Sequence, residues 1–353
     1  MLWTNILKGG DMKVAILTIV SRNYGNRLQN YALQSVLEIL GYSAETLRRE
    51  SKPKGIKQYA KTIVQMLLQT KGRKFKKFDK NIHFAKSVVT RDSYPDNVNK
   101  QYKYFIVGSD QVWNPYYDFV AGRCDFLEFA RENQKISYAA SFGVGEIPPE
   151  RKIEYARHLK TFKAISVREK RGAKIVEELV NRKVAVVLDP TLLLSESKWK
   201  KVEKKPLFYP KKKYVFVYAL GDKTDRFQDK IKQLKEKYEI FDVGSLQENG
   251  KELPVGPSEF LYLIRNAEEI LTDSFHATVF SIIFHKKFVT FNRPGLNMNS
   301  RIESLAVLVG VKDRLTECGD LNCETEIDYV NVDKILKEER RKSIDFLKNA
   351  LTD

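Results

Sequence analysis

The chain has 353 residues, a formal net charge of +17, 42% apolar and 11% aromatic content. It is long enough for two domains of ordinary size and apolar enough to fill their cores, which excludes wholesale disorder. Its three cysteines, Cys124, Cys318 and Cys323, make no even framework and no CxxC pair, pointing to a reducing compartment and away from structural zinc, and no apolar run approaches the roughly 20 residues of a membrane span.

Residues 1–11 (MLWTNILKGGD) precede a clear strand pattern, so Met12 reads as the natural start, with no secretory leader. Lys13–Val20 (KVAILTIV) has the pattern of a buried strand, and Arg27–Leu40 that of a helix stopped by Gly41. Residues 52–80 hold ten Lys/Arg against one acid, Asp79, around an apolar stretch at Ile63–Leu68. Such a segment suits the surface of an anionic bilayer, or is a solvated helix with one core-facing side. Tyr104–Val107, Lys135–Ala140, Ala164–Val167 and Lys183–Leu188 read as further strands, with a helix over Glu169–Leu179.

Ser195–Lys213 is lysine-rich, carries Pro206 and Pro210, and reads as an interdomain connection. A second alternating set follows. Its strands are Tyr214–Ala219, Ile240–Val243, Glu269–Leu271 and Phe288–Phe291. Its helices lie near Arg226–Lys237, Pro257–Arg265, through His276, and near Ser300–Val309, before a charged amphipathic helix at Val332–Leu351. The alternation predicts an α/β protein with mainly parallel sheets and helices on both faces. The expected organisation is an α/β domain over 12–194, a linker over 195–213, a second α/β domain over 214–330, and a helix over 331–353 able to pack back on the first.

In open α/β sheets ligands bind beyond the carboxyl ends of the strands, and four such ends stand out. NYGNRLQNYALQ (Asn23–Gln34) offers a close backbone approach at Gly25 and a helix N-terminus, but it is not GxGxxG. GSDQVWNP (Gly108–Pro115) combines an acid, an amide and an indole suited to a sugar, unless Trp113 is simply core. In SVREKRGA, Arg168 follows a strand and can fork onto a phosphate or carboxylate, or pair with a nearby acid. In LTDSFHATVFS (Leu271–Ser281), Asp273 or Ser274 is a natural N-cap. His276 then lies in the first helical turn, at the positive end of the dipole.

These stretches, with SYAASFG (Ser137–Gly143) and VLDPTLLL, occur in an order that resembles the polysaccharide pyruvyl transferase family from about Met12 to about Val309. The resemblance implies two Rossmann-like domains facing across a cleft in a GT-B-like arrangement. It also implies transfer of a pyruvyl group from phosphoenolpyruvate to a sugar of a surface or capsular polysaccharide, or of its lipid-linked precursor, leaving a cyclic ketal. The family's donor-binding histidine falls on His276, and an arginine contact on Arg168. Some relatives carry an arginine where this chain has Ser274, so a further cation is expected from Arg293, Arg301, Lys286 or Lys287. The first domain would face the acceptor with Asn23, Asn26, Asp110, Gln111 and Trp113, Asp110 being the candidate base. No metal and no cofactor beyond phosphoenolpyruvate as co-substrate is implied. The expected location is the cytoplasm, peripheral at the inner face of the plasma membrane through residues 52–80, with no nucleic-acid partner.

Two other functions fit parts of the sequence. A nucleotide-sugar glycosyltransferase of GT-B type would place nucleotide phosphates on the helix at His276. A non-catalytic basic protein binding membrane or polyanion would lean on the charge alone.

Overall fold

The computed structural model describes residues 12–49, 70–90, 93–117, 123–207, 209–245, 253–293, 300–316 and 326–352. Residues 1–11, most of the basic stretch 52–80 including Ile63–Leu68, and Cys318 and Cys323 lie outside them. The chain divides into two units, one comprising Met1–Thr62, Asp79–Leu193 and Glu339–Asp353, the other Ile63–Phe78 and Leu194–Glu338. Each unit has its own parallel sheet.

The first sheet takes β1 (Lys13–Leu17), β2 (Ser43–Arg49), β3 (Phe84–Val89), β4 (Tyr104–Val107), β5 (Lys135–Ala140), β6 (Ala164–Val167) and β7 (Ala185–Val186) in the order β3-β2-β1-β4-β5-β6-β7. All of its pairings are parallel, with Val14 opposite Ala44 on one side and Tyr104 on the other. The central strands β4 and β5 are buried along their whole length, as expected where helices cover both faces and side chains on both sides must be apolar. The strands β2 and β3, absent from the reading of apolar runs, lie toward the edge and mix exposed with buried positions. Their sequences, SAETLRR and FAKSVV, therefore need less hydrophobicity than a central strand.

The helix Tyr24–Ile39 follows β1 directly. Asn23 caps its start, its side-chain oxygen accepting from the N–H groups of Gly25 (2.8 Å) and Asn26 (3.4 Å). Gly41 closes the other end at φ +92, where the N–H of Gly41 bonds Glu38 and that of Tyr42 bonds Leu37, the double return that a left-handed glycine permits. The C-terminal part of the helix Tyr329–Ala350 packs on this unit. Ser343 Oγ accepts from the Leu188 N–H at 3.0 Å and Arg340 Nε donates to the Leu192 carbonyl at 2.6 Å.

The second sheet takes β8 (Tyr214–Tyr218), β9 (Glu239–Asp242), β10 (Glu269–Thr272) and β11 (Lys287–Thr290) in the order β11-β10-β8-β9, again parallel. The lysine-rich stretch expected to be a connection is folded into this unit. Trp199 is fully buried with its ring edge-on to Phe280, and Glu203 pairs with Arg265. The helix Thr70–Phe78 belongs here too, with Phe75 and Phe78 buried and Lys74 paired to Glu259 at 2.5 Å. Among the described residues, no helix is long and apolar enough to cross a membrane.

Candidate functional sites at two strand-order reversals

The strand order of the first sheet reverses between β1 and β4, and that of the second between β8 and β10. At such a reversal the connections leave in opposite directions and open a crevice at the carboxyl ends of the two strands. Residues already singled out occupy both places.

In the first unit, Asn26 after β1 meets Asp110 after β4. Asn26 Nδ2 donates to Asp110 Oδ2 at 2.5 Å, while Asn26 Oδ1 accepts from Ser21 Oγ. The other Asp110 oxygen accepts from Arg168 Nη2 at 3.2 Å. The Arg168 side chain is only 2% exposed, and its Nη1 donates to Asp189 Oδ2 at 2.7 Å and to Ser109 Oγ at 3.3 Å. Glu169 Oε2 lies 4.0 Å from Arg168 Nε. Burial works against the guanidinium charge, but Asp189, Asp110 and Glu169 more than offset it and hold the Arg168 pKa above its ordinary value. The arginine expected to meet an incoming anion is thus already surrounded by carboxylates.

The backbone around it is tightly specified. Asp110 and Gln111 lie at φ +24 and +58, a region that non-glycine residues adopt rarely and that concentrates at functional sites. A Cβ on Gly108, at φ +143, would sit 2.0 Å from the Tyr138 carbonyl oxygen, so only glycine fits there. The pairing of β5 with β6 slips between Ser137 and Ala140, with Ala139 at φ +50. That bulge accounts for the small residues of SYAASFG and turns the strand end so that Ser141 Oγ donates to Glu169 Oε1 at 3.0 Å.

Gln111 Oε1 accepts from Asn114 Nδ2 at 2.8 Å, and Asn23 is engaged as the helix cap. Trp113 must be removed from the acceptor residues. It is 0% exposed, its indole N–H donates to the Asp125 carbonyl at 3.0 Å, and its ring packs against Phe126, Phe142 and Phe162.

Asp189 was not singled out in the sequence, yet it ties three strand ends together. Its Oδ2 accepts from Ser109 Oγ and from Arg168, both at 2.7 Å, and its Oδ1 from the Thr191 N–H and Oγ1 at 3.0 and 2.6 Å. The available signal was an acid between an apolar run and a proline in VLDP.

In the second unit Ser274, not Asp273, caps the helix Phe275–Ile283, its Oγ accepting from the Ala277 N–H. Asp273 instead spans the reversal, accepting from the N–H groups of Leu220 (2.7 Å) and Gly221 (2.8 Å) after β8 and from Arg293 Nε (3.2 Å) after β11. His276 is buried in the first turn, edge-on to Phe275 at 5.2 Å, and the Arg301 guanidinium lies 6.0 Å from the same Phe275 ring. This helix N-terminus therefore has His276 in its first turn, Arg293 bound to Asp273 just before it, and Arg301 against the Phe275 ring, where donors and dipole favour an anion.

Lys286 and Lys287, the other cations considered for this place, sit at the opposite end of the sheet. Lys287 opens β11 and its Nζ lies 3.7 Å from Glu269 Oε2, while burial lowers the Lys286 pKa. Among the described residues, no group of three or more His, Cys, Asp or Glu side chains is placed to hold a metal ion.

Paired parallel α/β units, each with a polar site at its strand-order reversal, define a protein of GT-B-like class. Solved structures share the fold. A Listeria monocytogenes protein described as a UDP-N-acetylglucosamine 2-epimerase is 12% identical with a TM-score of 0.52, covering 95% of this chain and 91% of its own. The UDP-GlcNAc 2-epimerase of Methanocaldococcus jannaschii is 14% identical with a TM-score of 0.50, covering 92% of each chain. No curated protein matches the chain significantly. The model of the polysaccharide pyruvyl transferase family matches residues 23–294, and the chain belongs to that family.

Proposed function

We propose that the protein transfers the pyruvyl group of phosphoenolpyruvate to a sugar of a surface polysaccharide or its lipid-linked precursor, closing a cyclic ketal. Family membership supports the reaction class. The observation that carries the reading is the cationic helix N-terminus of the second unit, where Arg293 and Arg301 join the turn of His276. In this reading one of these two arginines supplies the further cation that the serine at position 274 leaves wanting.

In the reaction C3 of phosphoenolpyruvate gains a proton and C2 becomes electrophilic. A sugar hydroxyl bonds to C2 and gives up its proton, balancing the one gained by C3. The C2–O bond to phosphate then breaks, a second hydroxyl bonds to C2, and its proton leaves with the phosphate. We assign the phosphate to His276, Arg293, Arg301 and the helix N–H groups around Ser274, with His276 as proton donor to the leaving group. Arg168 contacts the donor carboxylate, Asp110 takes the proton of the attacking hydroxyl, and Asn23, Asn26 and Gln111 hold the acceptor.

A cytoplasmic enzyme working on a lipid-linked acceptor would gain from a basic face toward the inner membrane surface. The described end of the basic stretch is consistent with one, since Arg73, Lys76 and Lys77 are exposed on the helix whose Phe75 and Phe78 are buried.

The test is incubation with phosphoenolpyruvate and a panel of sugars and lipid-linked sugars, read by mass. A gain of pyruvate less one water, with phosphate release, is expected. Competition by a nucleoside diphosphate but not by phosphoenolpyruvate would replace this reading with a nucleotide-sugar transferase.

A further inference from the structure

Arg168 is enclosed by three carboxylates, but they do not hold it equally. Asp189 is 0% exposed in its side chain, takes Arg168 Nη1 at 2.7 Å, and is itself fixed by Ser109 and Thr191. Glu169 is 2% exposed, stands 4.0 Å from Nε, and is tied to Ser141 and the Phe142 N–H. Asp110 stands apart from both. Its side chain is the most exposed of the three at 13%, its bond to Nη2 at 3.2 Å is longer than that of Asp189, and its backbone stands at φ +24. Its second oxygen already has another partner in Asn26, so it need not be left bare if the first bond is lost.

We propose that Asp110 is the exchangeable member of this shell. A small anion binding Arg168 Nη2 takes the place of the Asp110 carboxylate, while Asp189 keeps the guanidinium in position from the other side. The displaced carboxylate turns from a counter-ion into a proton acceptor for the sugar hydroxyl. The donor must therefore bind before the base is available, so the enzyme does not arm its base in the absence of donor. Asp189 is a positioning residue in this scheme, and Asp110 the catalytic one. The inference rests on the pyruvyl-transfer reading for the identity of the anion, phosphoenolpyruvate, and on the geometry of Arg168 for the exchange itself.

The exchange makes an unusual demand on Asp110. Removing a competing carboxylate from Arg168 should tighten the donor while abolishing turnover. Calorimetric titration of phosphoenolpyruvate into the full chain should show Asp110→Ala and Asp110→Asn binding about fivefold tighter than wild type, the size expected for a partly exposed ion pair. Their kcat should fall about 100-fold, the usual loss for a missing general base. Asp189→Asn should bind phosphoenolpyruvate more weakly, because the guanidinium loses its anchor. If Asp110 only props Arg168 in place, both Asp110 variants will bind donor no better than wild type, and the exchange is overturned. The isosteric Asn variant, checked by its unfolding midpoint, keeps that outcome separate from misfolding. Wild type that binds phosphoenolpyruvate but pyruvylates no sugar would sink the functional reading and leave the exchange standing. Wild type that does not bind it would sink both.

Discussion

The two strand-order reversals use the same topology for opposite electrostatics. In the first unit one guanidinium is outnumbered by Asp189, Asp110 and Glu169, and the ring of hydrogen bonds is closed by serines and amides. In the second, the Asp273 carboxylate takes Arg293 just before a helix N-terminus whose first turn holds His276, with Arg301 against the Phe275 ring. A crevice at the strand ends is therefore neutral ground, and the few side chains at its rim decide whether it suits an anion or an acid–base step. The lesson for this family member is that a cation at a strand end does not by itself make an anion site; what already surrounds it matters as much.

The contrast can be broken most severely at Asp189. Asp189→Ala leaves Arg168 and Ser109 buried without their shared partner, and we expect a loss of about 3–5 kcal/mol in urea unfolding of the chain. Asp273→Ala should cost less, because the Arg293 side chain is 16% exposed and can turn to water. Next in size is the chemistry of the second site. His276→Gln should lower kcat for pyruvyl transfer by roughly 100-fold with little change in the unfolding midpoint, as expected for a lost proton donor. An unchanged rate would remove His276 from the mechanism.

Arg293→Ala should mainly raise the KM for phosphoenolpyruvate, by about tenfold, the scale of a lost charge-assisted bond of roughly 1.5 kcal/mol. A fall in kcat at constant KM would instead place Arg293 on the leaving phosphate in the transition state.

The smallest expected effect is a pH dependence confined to the first unit. Burial holds the His158 pKa below its ordinary value of 6.5, against the opposing pull of Glu128 at 3.2 Å. Above pH 6.5 the ring is neutral whether the chain is folded or not, and its burial carries no proton penalty. As pH falls through 6.5 the unfolded chain takes up the proton first, so stability declines. His158→Gln should flatten that decline in unfolding midpoints measured from pH 7.5 to 5.5, and an unaltered slope would show that His158 does not contribute to it.

Much of this architecture was legible in the sequence because it rests on local chemistry. Buried parallel strands must be apolar on both faces, so YFIV, KISYAA and AISV read as strands over the spans observed, Tyr104–Val107, Lys135–Ala140 and Ala164–Val167. A glycine at a helix end and a serine at a helix start act within a few residues, so Gly41 and Ser274 were readable as punctuation. Strand ends followed by polar residues marked Asn26, Asp110, Arg168 and His276 as candidates. Strands toward the sheet edge such as β2 and β3 escaped, because a strand with a partly wet face needs no apolar run.

What only the tertiary structure decided is who stands next to whom. Strand order is not written in any local pattern, so the placing of β1 beside β4 and of β8 beside β10, which creates both sites, came from packing alone. The same holds for the partners of Arg168. A guanidinium at a strand end reads equally as open to a ligand or as paired with a nearby acid, and it took Asp189 and Asp110, arriving from distant parts of the chain beside the adjacent Glu169, to show it already engaged. Charge acts through space and weakens with distance, and a sequence orders residues along the chain without giving those distances.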